Sequence, residues 1–343
     1  MNQQISHVNK KNGSILILAL WTLTLLSMFA VYIGMRIQQR AILLSRLEDR
    51  SQLHYLAEAG VKKALAALKN DLRAHNRQYT AYGKFYRHNN PEIFKAIEIG
   101  QGVVNVRYAQ ASSSMEERFG FIDEESKINL NTADKNDLKR LLGSVIDKDA
   151  RRVQDLVDAI VDWREAVQHQ TQGFYSDGYY QQLAHPYTSK KSNFEIIDEL
   201  LLVQGVTQDI FDKLQPFVTI YGDGKININS ASREVLRAIG MENSLIDKLF
   251  SVRRGQDGLE ATVDDYVFQK TFDIASEMSS FVKLEPEEIK MIDIINEQGK
   301  IKADSIVYLI QSEATLKHKS GSIKISCVYH ARENLIEYWR EKY

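Results

Sequence analysis

Residues 14–35 read SILILALWTLTLLSMFAVYIGM, a span without a charged side chain, entered through Lys10 and Lys11 and left at Arg36. At ~1.5 Å of rise per residue, a helix of this length just crosses a ~30 Å hydrocarbon layer. A buried helix of a soluble protein would carry a polar face, and none is visible from Ile15 to Ile33. A secretory signal would be shorter and would lead to a small-residue cleavage site, whereas this span runs straight into strong helix formers. It is therefore read as a membrane helix that stays in the mature chain.

Working outward, Arg36 to Ala74 contains no proline and is rich in Ala, Leu, Arg, Lys, Glu and Gln, so the helix is expected to continue. Leu53, Ala57, Val61, Ala64 and Leu68 recur every three or four residues and form one apolar stripe, with Glu58 and Lys62 as an exposed pair elsewhere. Ser14 to Leu72 then makes one helix of roughly 90 Å, half in lipid and half docked on a folded domain. The competing reading is two helices broken near Gly34. On the other side, Lys10-Lys11-Asn12-Gly13 before Ser14 resembles the leader of type IV pilins and pseudopilins. That resemblance implies cleavage after Gly13 by a prepilin peptidase, leaving Ser14 as the amino end. Glycine lets an extended backbone into a protease, and the lysines hold the leader in the cytoplasm.

Residues 79–91 read as a polar connection. Val104, Val106 and Tyr108 alternate with polar residues, and Phe119 and Phe121 repeat the pattern, which predicts two strands able to cover the helix stripe. At Ile128 the character changes. Ile128-Asn129-Leu130-Asn131-Thr132-Ala133 and Ile226-Asn227-Ile228-Asn229-Ser230-Ala231 align without a gap, each followed by a helical pattern, with Asn then Thr or Ser expected as helix caps. A repeat this far apart is too long for a solenoid unit and predicts two related helical subdomains. Between them 155–165, 195–203 and 209–214 are patterned as short amphipathic helices. The tail returns to β-patterning in 307–314, 323–331 and 335–339, with a hairpin at Lys317 to Gly321.

Composition bounds the rest. With 343 residues and 44% hydrophobic content, the chain can bury more than one core. A net charge of -1 gives no electrostatic footprint for nucleic acid or anionic lipid. The single cysteine, Cys327, reads as a buried strand thiol and excludes an internal disulfide. His75, His88, His169, His185, His318 and His330 have no ligand spacing, and no nucleophile elbow or phosphate loop appears, so no catalytic activity is expected.

Asn129-Leu130-Asn131, Asp162-Trp163-Arg164, Pro186-Tyr187, the run from Glu199 to Gly205 and Pro216-Phe217-Val218-Thr219, in that order behind a pilin-like helix, resemble the K-type minor pseudopilins of type II secretion. The resemblance implies an α+β fold: a long N-terminal helix, transmembrane then periplasmic, packed on a small antiparallel sheet that carries a large inserted helical block of SAM-like or helix-hairpin-helix-like type. The boundaries expected are 1–13 for the leader, 14–35 for the membrane part, 36–75 for the periplasmic part of the helix, 76–125 and 300–343 for the α/β domain, and 126–299 for the insertion. It further implies an inner-membrane anchor with a periplasmic domain, other minor pseudopilins as partners, no nucleic acid, and a place at the tip of the pseudopilus where assembly starts. Most pilin-like proteins carry a glutamate five residues after the cleavage point. Here that position is Leu18, and a carboxylate in hydrocarbon is costly unless a neighbour pairs with it. In the family this marks the filament end, while Ser14 in place of the usual Phe bears on N-methylation of the new amine.

Calcium is also raised by the resemblance, because relatives place acidic residues after the Asp-Trp-Arg element and near a Gly-Ala-Glu turn. Here Asp162 and Glu165 remain, Val167 stands where Asp is usual, Phe174-Tyr175 follow Gly173, and Asp177 is the nearby carboxylate. The residue pattern alone reads Asp155, Asp158 and Asp162 as a solvated acidic face. A rival reading for the whole chain is a membrane-anchored DNA-binding protein. The Asn repeats and Val203-Gln204-Gly205-Val206 resemble helix-hairpin-helix modules, with Arg151, Arg152, Arg253 and Arg254 as the basic surround.

Overall fold

A computed structural model describes residues 12–75, 89–109, 117–146, 149–165, 177–260, 262, 264–317, 319 and 321–343, of which 12–14, 71–75, 109 and 177 are described by backbone alone. The chain divides into two compact units, Met1–Tyr55 and Leu56–Tyr343. The apolar span lies in a helix that runs without a break at Gly34, Asn12–His75. In the first unit its side chains from Ile15 to Leu47 are exposed, including Leu16, Leu18, Trp21 and Phe29, and this is the one helix among the described residues long and apolar enough to cross a membrane. Leu53, Ala57, Val61, Ala64 and Leu68 are all buried, as their spacing predicted.

Within the second unit the helix packs on a six-stranded antiparallel sheet. The strands run in the order Ile97–Ile99, Gly102–Val106, Val307–Leu316, Ser322–His330 and Leu335–Lys342, with Ile122–Asp123 also paired to Val307–Leu316. Ile310, Ser312, Ala314, Ile323, Ile325 and Cys327 are buried at period two. Helix and sheet approach closely at two glycines: a Cβ on Gly60 would overlap the Ser312 hydroxyl and Val104, and one on Gly102 would overlap Leu56. The Lys317–Gly321 hairpin lies between Thr315 and Ser322, which pair directly.

Phe119 and Phe121 do not form the second strand expected of them. Gly102–Val106 is in the main sheet, whereas Tyr108–Ala109 pairs with Glu117–Arg118 in a separate ribbon. The two phenylalanines follow that ribbon in irregular chain, and both are buried. Phe121 packs edge-on against Phe94 at 5.0 Å and Tyr308 at 6.5 Å. Aromatic burial, rather than backbone pairing, is what their alternation records.

A helical block lies between Ile122–Asp123 and Val307–Leu316. It contains two copies of one plan. The first opens with the strand Ile128–Asn129, continues through helices Lys135–Val145, Ala150–Arg164 and Gln208–Leu214, and closes with Val218–Thr219 parallel to its opening strand. The second runs from Ile226–Asn227 through Arg233–Ala238, Asn243–Arg253 and Pro286–Glu297 to Ile301–Lys302, again parallel. The closing strand of the second copy thus lies just past Gly299.

Candidate functional site

The repeated asparagines hold each copy closed. Asn131 donates Nδ2 to the carbonyl of Phe194 at 3.1 Å and accepts from its amide at 2.8 Å. Asn229 does the same with Phe268, at 3.0 and 2.9 Å, and reaches the carbonyl of Ala303 at 2.8 Å. Asn129 and Asn227 instead accept from the amides of Asn131 and Asn229, closing the turn after the opening strand. An arginine at the end of the second helix of each copy completes the pattern. Arg164 donates to the carbonyls of Leu130 and Ala133, and Arg253 to that of Ala231 at 2.7 Å. The helix caps are Asp134 and Ser232, two residues later than the Thr and Ser that were expected. Ser230 donates to Asp123 instead.

The motif residues build the first copy's core. Trp163 meets Tyr180 at 5.7 Å, Tyr187 at 6.3 Å and Phe194 at 6.5 Å. Tyr187 donates its hydroxyl to the Leu202 carbonyl at 2.8 Å, and Glu199 accepts from the amides of Glu195 and Ile196. These are packing and closure roles, which is why so many large or amide-bearing residues recur in the motifs.

The block joins the sheet through three consecutive buried acids, which the sequence reading did not single out. Asp123 accepts from Asn227 at 2.8 Å, Ser230 and Ser305, Glu124 from Thr219 at 2.5 Å and Lys127 at 2.6 Å, and Glu125 from Lys302 and the Ile306 amide at 2.7 Å. Burial pushes the Asp123 carboxyl above the usual range, with its hydroxyl and amide donors opposing. Burial pulls the Lys302 ammonium down, but Glu125 and Asp223 outweigh it and the net shift is upward. The two copies are tied by Lys300, whose ammonium is 2.7 Å from Asp134 and Asp137, and by Arg140, which donates to the Ala238 carbonyl at 2.6 Å. No short-range pattern marks these contacts, because the partners lie on different elements.

The remaining candidates fall as follows. Lys10 and Lys11 lie outside the described residues, Gly13 and Ser14 are in the first turn of the long helix, and Leu18 is 68% exposed. Cys327 is buried, which pushes its thiol up to about 12 and away from reactivity. The glycine turn at Gly205 (φ +82°) has spent its amides, since Gln204 donates to the Tyr180 hydroxyl and Val206 to the Val203 carbonyl. Arg253 is buried, and both it and Arg254 face Glu260. Of the four arginines of the expected basic surround, Arg253 is thus turned inward, Arg254 is half-buried, and Arg151 and Arg152 are exposed.

The acidic face is not uniformly solvated. Asp155 is exposed and Asp158 half-buried, but Asp162 is buried with Lys191 Nζ at 2.6 Å from its Oδ1. Glu165 lies 3.7 Å from Arg164. Val167, Phe174 and Tyr175 are outside the described residues. The side chain of Asp177 is likewise outside the described residues. A calcium ion needs six to eight oxygens, and Asp162 and Glu165 are each matched by a cation of the chain itself, so these two acids do not fit the ion. Among the described residues no group of three or more His, Cys, Asp or Glu is placed to hold a metal.

Comparison with known proteins bears on this arrangement directly. Residues 105–223, which span the junction and the first copy, match the family model for type II secretion system protein K. Comparison with curated proteins gives no match. The fold is similar to a chain in the crystal structure of the GspK-GspI-GspJ complex from the type 2 secretion system of enterotoxigenic Escherichia coli. The TM-score is 0.60 at 14% identity, over 87% of this chain and 99% of that one. The family match lies on the residues that close the first copy and the shared fold reaches over most of the length, so the chain is similar to protein K of type II secretion in residues 105–223 and shares the fold of a solved GspK chain.

Proposed function

We propose that this chain is the end subunit of a type II secretion pseudopilus, anchored in the inner membrane with Leu56–Tyr343 on the periplasmic side, and that it starts assembly with other minor pseudopilins. The observation that carries the reading is Leu18, an exposed apolar residue in the membrane helix where pilin-like neighbours place a carboxylate. A subunit with nothing above it has no amine to pair with such a group, and an unpaired carboxylate in hydrocarbon is costly. The partners are proposed by likeness to the relative crystallised with GspI and GspJ. Their helices would pack on the exposed apolar surface from Ile15 to Met35, by van der Waals contact rather than by exclusion of water. The helical block gives the end subunit a bulk that a subunit repeating along a thin fibre could not carry.

The experiment is position-resolved crosslinking in isolated pseudopili, which is expected to find the chain once per fibre, at an end. Regular recurrence along the fibre would overturn the reading. Processing is tested separately. Mass spectrometry of the membrane form is expected to show Ser14 at the amino end, and Gly13→Val to retain the leader. An uncut wild-type chain would remove the pilin-like assembly route.

A further inference from the structure

The end of helix Ala150–Arg164 holds a feature that the second copy lacks. Lys191 places its ammonium 2.6 Å from the carboxylate of Asp162 and 3.3 Å from the same residue's carbonyl, so one cation meets both a buried acid and the carbonyl end of a helix. That end carries the negative pole of the helix, so a positive charge there is doubly favoured. Lys191 does this from a left-handed backbone conformation, φ +52°, which a side chain with a Cβ adopts only when its surroundings impose it. Lys190 on the same segment turns to Glu199 at 3.0 Å. The two lysines therefore staple residues 189–191 between a helix end and the turn that starts at Ile197.

The second copy serves as an internal control. Its closing arginine, Arg253, corresponds to Arg164, and the residue two places before it is Ser251 instead of an acid. Ser251 is exposed and donates to the Lys248 carbonyl of its own helix at 2.7 Å. The second copy thus closes with no acid at this position, its helix end pairing Arg253 with Glu260 at 3.4 Å instead, and the Asp162–Lys191 contact is specific to the first copy.

We propose that the Lys191 ammonium is the resident cation of the first copy, neutralising Asp162 in the manner of a bound metal ion, so that this subdomain closes without calcium. The strained backbone at Lys191 is the cost of delivering a covalently attached charge to a buried carboxylate. An attached cation does not dissociate, so closure is independent of the divalent-ion concentration outside the cell membrane. The inference concerns this chain's own residues and stands whether or not the subunit sits at the fibre end.

The test is thermal unfolding of the full chain in detergent, followed by tryptophan fluorescence, in EDTA and in millimolar calcium. The wild type is expected to melt at the same temperature in both. Lys191→Gly relieves the left-handed strain yet removes the charge, and is expected to melt lower by about 2–6 °C in both solutions. Lys191→Arg is expected to hold the wild-type value more nearly, and Asp162→Asn added to Lys191→Gly to recover part of the loss. A wild-type melting temperature that rises with calcium, or a Lys191→Gly chain as stable as the wild type, would overturn the proposal.

Discussion

Asn131 and Asn229 each use both ends of one amide on one backbone residue, so a single truncation leaves a buried N–H and a buried carbonyl without partners. Each unmade hydrogen bond costs roughly 1–3 kcal/mol, so Asn131→Ala and Asn229→Ala are each expected to lose about 2–4 kcal/mol in urea unfolding. An unchanged midpoint would mean that water replaces the side chain. The asparagines stood out in the sequence as a repeat, but their role was misread as capping. A cap bonds two or three residues ahead, whereas these amides reach residues 63 and 39 positions away, which local patterns do not encode. A second test at this scale is Asp264, whose carboxyl is held down to about 2 by Thr262 and by the amides of Asp257 and Gln256. Because the folded value is depressed, the contribution of these bonds is complete above the ordinary aspartate value near 3.8 and is lost as pH falls toward about 2. An NMR titration of Asp264 with a midpoint at the ordinary value would show that the turn at Gln256 and Asp257 does not hold it.

Among the elements, the part of the long helix from Leu56 to Leu68 has the least room for change. Ala64 has no exposed surface, and Gly60 admits no side chain against Ser312 and Val104. Ala64→Asp would bury a carboxylate in an apolar contact, and is expected to destabilise by several kcal/mol. The measurement is the melting temperature of the full chain, and an unchanged value would mean the face is open to water. This stripe was readable because helix periodicity survives whatever the helix packs on. The same holds for Ile323, Ile325 and Cys327, whose period of two directly marks the buried face of a strand. Ile122–Asp123 was not readable, because two residues are too few for a pattern and their partner is Tyr308–Leu309, far along the chain. Lys191 was invisible for a related reason, since nothing nearby in sequence reveals that its charge reaches Asp162.

At the level of the whole molecule, the block can be considered as a removable piece. Asp123 pairs with Tyr308, so the two ends of the insertion meet on adjacent strands. Replacing residues 126–303 by a short linker is therefore expected to leave membrane insertion intact, because the anchor and the lysines before it lie elsewhere. The shortened chain is expected to stay in complexes with other minor pseudopilins, because the helix surface proposed to hold them, Ile15 to Met35, is untouched, as read by membrane fractionation followed by co-purification; loss there would show that the block itself carries partner contacts. The strand order has one more consequence, for the birth of the protein. The central strand Val307–Leu316 pairs with Gly102–Val106, Ile122–Asp123 and Ser322–His330, so nothing before residue 307 can complete the sheet. During synthesis the apolar stripe from Ala57 to Leu68 therefore waits uncovered while the helical block emerges and folds, and the sheet closes last, across a long and slow loop. A ribosome that stops short leaves a chain with its stripe bare, an aborted product that a protease can tell from a finished one.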